Sequence, residues 1–293
     1  MKLGTRGSAL ALAQARAVAA ALPGSVSVVE VRTGGDAGAA VGDKSRWVDG
    51  LERALLDEEI DLAVHSAKDV PAQLADGLEL LAVPAREDPR DALVGAPSLG
   101  DLPAGARIGT TSLRRRAALL AARSDLDVED LRGNVDTRLR KLADGEVDAL
   151  VLAFAGLRRL GREEEASAVL DPGVMLPAAG QGALALEGRA DDGDAYAAAA
   201  SISDLDATVC VVAERALTAG LGATCYTPVA ALATIDGDEL TLRAFAALPD
   251  GSEWVRDELT GAADDPEAVG AAVADRLRCV GVAELLTRAG QSI

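Results

Sequence analysis

The sequence predicts an α/β fold in two successive blocks, closed by a smaller α+β block, and three observations carry that expectation. Strand-like and helix-like patterns alternate from the N-terminus to about residue 85. After Pro84 the rhythm restarts and runs to about residue 182. From Asp206 onward a helix, a loop and strands joined by Asp-Gly turns replace it.

Each element has a local cause. Residues 9–22 are an alanine-rich amphipathic helix, with the Ser8 hydroxyl placed to cap the first free N–H groups and Pro23-Gly24 to stop it. Residues 25–32 alternate valines with polar residues, as a half-buried strand does. A helix at 48–58 and short apolar strands at 60–65 and 78–83 complete the first block. In the second block a strand at 107–109 feeds a helix from Leu113, a strand at 126–131 feeds a helix at 135–142, and 147–154 is the most apolar strand of the chain. Residues 176–187, containing Gly180-Gln181-Gly182, are placed to carry the chain back to the first sheet, which makes the first domain discontinuous. The third block reads as a helix at 208–219, a loop around Cys225, two or three strands turning at Asp236-Gly237 and Asp250-Gly251, and one closing helix at 266–286. The expected domains are 1–85 with 183–202, 86–182, and 203–293.

Composition narrows the chemistry. With 293 residues the chain can bury more than one core. No apolar run approaches the roughly 20 residues that cross a bilayer, and the start lacks an apolar signal core, so a cytoplasmic protein without a membrane partner is expected. Cys210, Cys225 and Cys279 are far apart and odd in number, which argues against a disulfide framework or a zinc site. His65 is the only histidine, so no histidine-based metal centre is expected. The net charge of −18 opposes nucleic acid. Lysine occurs only at Lys2, Lys44, Lys68 and Lys141 against 25 arginines, the bias of a halophilic, salt-adapted surface, and any locally basic stretch therefore stands out.

Four stretches carry chemistry. Arg107-Ile-Gly-Thr-Thr-Ser-Leu-Arg-Arg-Arg116 is a strand, a hydroxyl-rich turn and a helix start, and no acidic residue lies between Asp101 and Asp125. Helix N–H groups, the hydroxyls of Thr110, Thr111 and Ser112, and the forks of Arg114 and Arg115 suit a carboxylate or phosphate; a capped helix with solvated arginines is the alternative. Leu131-Arg-Gly-Asn-Val-Asp-Thr-Arg138 opens a second helix, with Arg132 and Arg138 near a strand's C-terminal edge, and Arg159 follows the apolar strand toward the same edge. Ala63-Val-His-Ser-Ala-Lys-Asp-Val-Pro71 ends a buried-looking strand in Lys68 and Asp69; that carboxylate either stabilises a developing cation or sits in an ordinary turn. In Leu221-Gly-Ala-Thr-Cys-Tyr-Thr-Pro228 a loop places Cys225 in reach of a reaction partner, as a nucleophile or as an inert thiol. Cys279 lies on an amphipathic helix and reads as structural, and Cys210 as packing or surface.

Collinear motifs through nearly the whole chain resemble the porphobilinogen deaminase family: Gly4-Thr-Arg-Gly-Ser-Ala-Leu-Ala-Leu12, the Ala63 and Gly109 to Arg115 segments, Arg86-Glu-Asp-Pro-Arg-Asp-Ala92, Leu131 to Leu139, Ala155 to Gly161, Leu176-Pro-Ala-Ala-Gly-Gln-Gly-Ala183 and Ala213-Glu-Arg-Ala216. The resemblance implies two α/β domains like periplasmic binding proteins around a cleft, plus a smaller α+β C-terminal domain. It implies a dipyrromethane cofactor held on Cys225 through a thioether, porphobilinogen as substrate, and four rounds of condensation with loss of ammonia before hydroxymethylbilane is released. It makes Asp69 the catalytic residue, assigns Lys68, Thr110, Ser112, Arg114, Arg115 and Arg132 to the cofactor, and assigns Arg6, Ser8, Arg138 and Arg159 to substrate. No metal is implied, and a monomer is expected. The chain departs from the family pattern at Ala223-Thr224, where two glycines usually precede the cysteine, at Cys210, where an arginine is common, and at Trp47, beside Lys44, where phenylalanine is usual. A non-catalytic binder of an anionic metabolite accounts for the arginines equally well, but gives Asp69 and Cys225 no purpose.

Overall fold

The computed structural model describes residues 1–31, 45–224 and 226–291. Trp47's side chain, Lys44 and Cys225 therefore lie outside the described residues. β1 (Lys2–Thr5) is followed by α1 (Ala9–Ala21), β2 (Ser27–Glu30), α2 (Ser45–Leu56), β3 (Leu62–Ser66) and β4 (Leu78–Ala82). Ser8 caps α1 as expected, its hydroxyl accepting the Ala11 N–H at 3.2 Å. The second sheet is built from β5 (Asp91–Val94), β6 (Arg107–Gly109), α3 (Leu113–Ala122), β7 (Asp127–Glu129), α4 (Val135–Ala143), β8 (Ala149–Ala153), α5 (Phe154–Arg159) and β9 (Ala168–Val169). The chain then returns through β10 (Leu184–Arg189) and α6 (Gly193–Ala200) to the first sheet.

Strand order in the first sheet is β2-β1-β3-β10-β4, and in the second β7-β6-β8-β5-β9. The two orders follow one plan. Four of the five strands share one direction in each, and the strand that follows a crossing between the sheets, β10 or β5, is inserted antiparallel between the third and the fourth of them. The return through Gly180-Gln181-Gly182 is thus realised as β10 pairing with β3, Leu186 opposite Val64.

Two units are compact: residues 1–87 with 183–211, and residues 88–182 with 212–293. In the first, α1 packs Ala15 and Val18 on Leu3, Leu62 and Leu186. α7 (Leu205–Gly220) begins in the first unit and passes into the second at residue 212, where it leads to an antiparallel sheet of β11 (Val229–Asp236), β12 (Glu239–Ala247) and β13 (Trp254–Ala262). Ala230, Leu232, Phe245 and Ala247 of that sheet share one apolar core with Ile108, Leu119 and Val151. That shared burial is why the last sheet and the second sheet belong to one compact unit.

The sequence expectations need correction at a few elements. The single closing helix is two, α8 (Pro266–Cys279) and α9 (Val282–Gln291), separated at Gly281. Gly281 has φ of 88°, a left-handed conformation that ends a helix and that side chains other than glycine resist. The strand expected at 126–131 pairs only over Asp127–Glu129. β1, β5, β9, α5 and α6 carry too few residues to show a period in the sequence. Cys279, expected to be structural, is exposed at the end of α8, whereas Cys210 is buried on α7. Among the described residues no single helix is long and apolar enough to cross a membrane.

Candidate active site

In the first unit, parallel pairing of β1 with β3 sets their C-terminal ends side by side. The chain leaving β1 carries Arg6 and Ser8 into α1, and the chain leaving β3 turns through a short 3-10 segment, Ala67–Asp69, closed by the Val70 N–H on the Ala67 carbonyl at 3.2 Å. Arg6, Ser8, Gln14, His65, Ser66 and Asp69 line one pocket of about 90 Å³. Its rim is fixed by the Gln14 amide, which donates to the Ser66 hydroxyl at 2.9 Å from a side chain only 5% exposed. Lys68 is half-buried on the same segment and is not among the residues that line the pocket.

His65 stands on the face of β3 opposite Val64 and meets the buried Glu187 of β10, Nε2 to Oε2 2.8 Å, without hydrogen-bond alignment. The two are diagonal neighbours across the antiparallel pair, because His65 lies opposite Ala185 and Glu187 opposite Ala63. Glu52 of α2 feels the same charge: burial raises its carboxyl, and Glu187 and Asp49 push it further the same way. A carboxylate buried on a sheet face is costly once the imidazole beside it is removed. His65→Leu is accordingly expected to lower the unfolding free energy by about 2 kcal/mol or more, read by urea denaturation. The double variant with Glu187→Leu should recover most of that loss, and an unchanged denaturation midpoint for His65→Leu would show that the pair contributes nothing.

In the second unit, β6 and α3 are joined as the sequence predicts. Thr110 is buried, its N–H donates to the Glu129 carbonyl at 2.9 Å and its hydroxyl accepts the Ser112 N–H at 3.2 Å; the Ser112 hydroxyl in turn caps α3 at Arg115 N–H. The arginines that follow are not solvated. Arg114 and Arg115 are 4% and 6% exposed, and both close on Asp91 at the start of β5, which is wholly buried. Arg114 Nη1 donates to Asp91 Oδ2 at 2.8 Å and to the Leu176 carbonyl at 2.6 Å. Arg115 donates through Nε and Nη2 to Oδ1, at 3.1 and 2.8 Å, and through Nη1 to the Val151 carbonyl at 2.9 Å. Burial by itself would raise the Asp91 carboxyl, but the two guanidiniums override it and hold the group well below the usual carboxylate range.

Arg138 is half-buried, donates from Nε to the Gly133 carbonyl at 2.8 Å, and is lowered to about 10 by burial and by the nearby positive charge of Arg115. Gly133 makes that turn possible: its φ is 128°, and a Cβ there would fall 2.7 Å from Thr137. Arg159 donates to the Gly182 carbonyl at 2.7 Å, and Arg132 is exposed. The structure thus sets Arg114 and Arg115 on one carboxylate, with Arg138 close enough to Arg115 to feel its charge, so that positive charge is in excess, and Arg114 Nε is buried with no partner among the described residues. Cys225 falls outside the described residues; on either side of it Thr224 and Thr227 are mutually hydrogen bonded, the Thr224 N–H to Thr227 Oγ1 at 2.8 Å. Among the described residues of this loop, the positive φ falls at Gly222, 62°, and not at Ala223 or Thr224.

Two family models match the chain. Residues 1–197 match "Porphobilinogen deaminase, dipyromethane cofactor binding domain", and residues 208–278 match "Porphobilinogen deaminase, C-terminal domain". A porphobilinogen deaminase of Sorangium cellulosum is 53% identical over 270 residues, which cover 88% of this chain and 90% of that protein. The chain belongs to the porphobilinogen deaminase family. Relatives under the same name from Roseiflexus sp. strain RS-1 and Desulforudis audaxviator are 48% and 49% identical, over 94% and 98% of this chain and 94% and 96% of theirs. Among solved structures, an ABC transporter periplasmic substrate-binding protein from Coxiella burnetii overlays with a TM-score of 0.44 at 14% identity, over 69% of this chain and 91% of that one.

The described residues fit the cofactor of this family. A dipyrromethane built from two porphobilinogen units carries acetate and propionate groups, and the second unit offers buried cations in excess of carboxylate, an unpartnered guanidinium N–H and the capped turn at Ser112. Sequence reasoning missed several buried polar residues of this chain. Gln14, Asp91, Gln181, Glu187 and Glu214 are all buried. The one local signal was Gln14, a lone amide in the alanine and leucine run of α1; the other four are tied to partners distant in sequence.

Proposed function

We propose that the chain is a hydroxymethylbilane synthase that joins four porphobilinogen molecules head to tail with loss of ammonia and then releases the linear product by hydrolysis. The observation that carries this reading is the pocket at the ends of β1 and β3, where a carboxylate, Asp69, shares a lining with Arg6 and Ser8. A binding protein for anions needs the cations but not that carboxylate. Asp69 accepts hydrogen bonds from pyrrole N–H groups and stabilises the positive charge that develops on the substrate as ammonia leaves. Arg6, Ser8, Arg138 and Arg159 take the substrate's acid side chains. Lys68, Thr110, Ser112, Arg114, Arg115 and Arg132 hold those of the dipyrromethane, which Cys225 carries through a thioether. When bound, that group supplies the pyrrole carbon to which new units are joined. The three-domain division into 1–85 with 183–202, 86–182 and 203–293 spreads both sets of residues over the first two blocks, with the thiol on the last.

The same reading makes the protein a cytoplasmic monomer without a nucleic-acid or membrane partner; the net charge of −18 supports the exclusion of nucleic acid. The test is the intact mass of protein made in cells able to synthesise porphobilinogen. A mass raised by one dipyrromethane, together with a positive Ehrlich-type pyrrole colour, is the expected result. An unmodified polypeptide that turns over no porphobilinogen would instead favour a non-catalytic binder.

A further inference from the structure

Asp91 was given no role by its sequence neighbourhood, yet it is the point on which the second unit's buried cations converge. Its Oδ1 receives three N–H groups, two from Arg115 and one from the Gln181 amide at 2.9 Å, while Oδ2 receives Arg114. Gln181 is itself held, donating to the Pro89 carbonyl at 2.7 Å. The turn that presents Gln181 is fixed by Glu214 of α7, whose Oε2 accepts the Gly180 N–H at 2.6 Å and whose Oε1 accepts the Ala233 N–H of β11 at 2.8 Å. A continuous polar path therefore runs from α7, the helix that precedes Cys225, through Glu214, the Gly180-Gln181 turn and Asp91 to the two arginines.

This cluster is unlike a purely structural ion pair. One carboxylate against two guanidiniums leaves a positive charge uncompensated in a buried setting, where burial pulls the Arg115 guanidinium down from its ordinary range against the pull of Asp91. Two bare guanidiniums on adjacent residues would repel and splay apart, whereas a shared carboxylate fixes both forks and still leaves a net charge that attracts an acid. Arg114 Nε, buried and without a partner among the described residues, is a donor held ready by that arrangement.

We propose that Asp91 is a positioning residue: braced by Gln181, it aligns Arg114 and Arg115 for the carboxylates of the dipyrromethane. The inference rests on the assignment of those two arginines to the cofactor, and the variants are chosen to separate the two claims. Asp91→Asn keeps the shape and removes the charge. Its covalent cofactor content, read by intact mass, is expected to fall at least tenfold in protein that keeps a cooperative thermal transition. Gln181→Leu leaves both arginine contacts to Asp91 in place and removes only their brace; it is expected to raise KM for porphobilinogen severalfold with kcat within about twofold, a split that a general loss of stability does not produce. If Asp91→Asn fails to fold, Gln181→Leu decides alone, and an unchanged KM overturns the proposal. Arg114→Gln is the reference. Should it lose cofactor while folded Asp91→Asn loads normally, the arginine assignment stands and the positioning role of Asp91 falls. Should Arg114→Gln load normally with unchanged KM, the assignment itself fails and the proposal with it.

Discussion

Cys225→Ser protein is expected to have the mass of the bare polypeptide and to form bilane at a rate lower by on the order of a thousandfold or more. The substitution exchanges one atom, so the loop keeps its composition and its flanking Thr224 to Thr227 hydrogen bond. What changes is nucleophilicity. A thiol is partly ionised near neutral pH and reacts readily as the thiolate, whereas a serine hydroxyl stays protonated unless a base serves it. His65 is the only histidine in the sequence, and its imidazole meets the Glu187 carboxylate. The measurement is intact mass alongside a pyrrole colour reaction and turnover of porphobilinogen. Full activity in protein that carries no adduct would remove the thiol from the mechanism.

Asp69→Asn is expected to lower kcat by about 10²- to 10⁴-fold while KM changes by only a few-fold. Arg6 and Ser8, the pocket residues assigned to the substrate's acid groups, are untouched, so binding is largely kept. The amide preserves the size of the side chain and the short 3-10 turn, closed by the Val70 N–H, that carries it. It cannot, however, offset a positive charge on the substrate. Steady-state kinetics on protein already shown by mass to carry its cofactor would isolate this step. A kcat within threefold of the parent protein would reassign the carboxylate to a structural role.

Local patterns in the sequence reported the fold well wherever one element's cause lay inside it. The β6 to α3 junction is the clearest example: a glycine and threonine turn, a serine cap and a helix beginning at Leu113 all appear as expected. The same holds for the Ser8 cap of α1 and for the hairpin at Asp236-Gly237. The arginines after Ser112 were legible as an anion-binding constellation but not as a buried one. Their partner Asp91 lies 23 residues upstream and Gln181 is 90 residues from Asp91, separations that no periodicity or turn rule spans. Glu187 was hidden for the same reason, because a charged residue in an apolar strand reads as solvent-facing until the neighbouring strand supplies His65. Gly281 was a different kind of omission: its break between α8 and α9 shows in backbone conformation, while the apolar spacing on either side continues.

The place of β10 bears on how the chain is made. Among the described strands β4 pairs only with β10, and β3 also uses β10 on one side, yet β10 is synthesised about a hundred residues after β4. At roughly 5–20 residues per second, a nascent chain holds the first sheet open along its middle for several seconds, with the ladder groups of β3 and β4 unsatisfied. Such a gap attracts stray strands. Its closure depends on the whole second sheet having emerged from the ribosome, so the N-terminal half of this protein finishes folding only after the segment that follows it has been made.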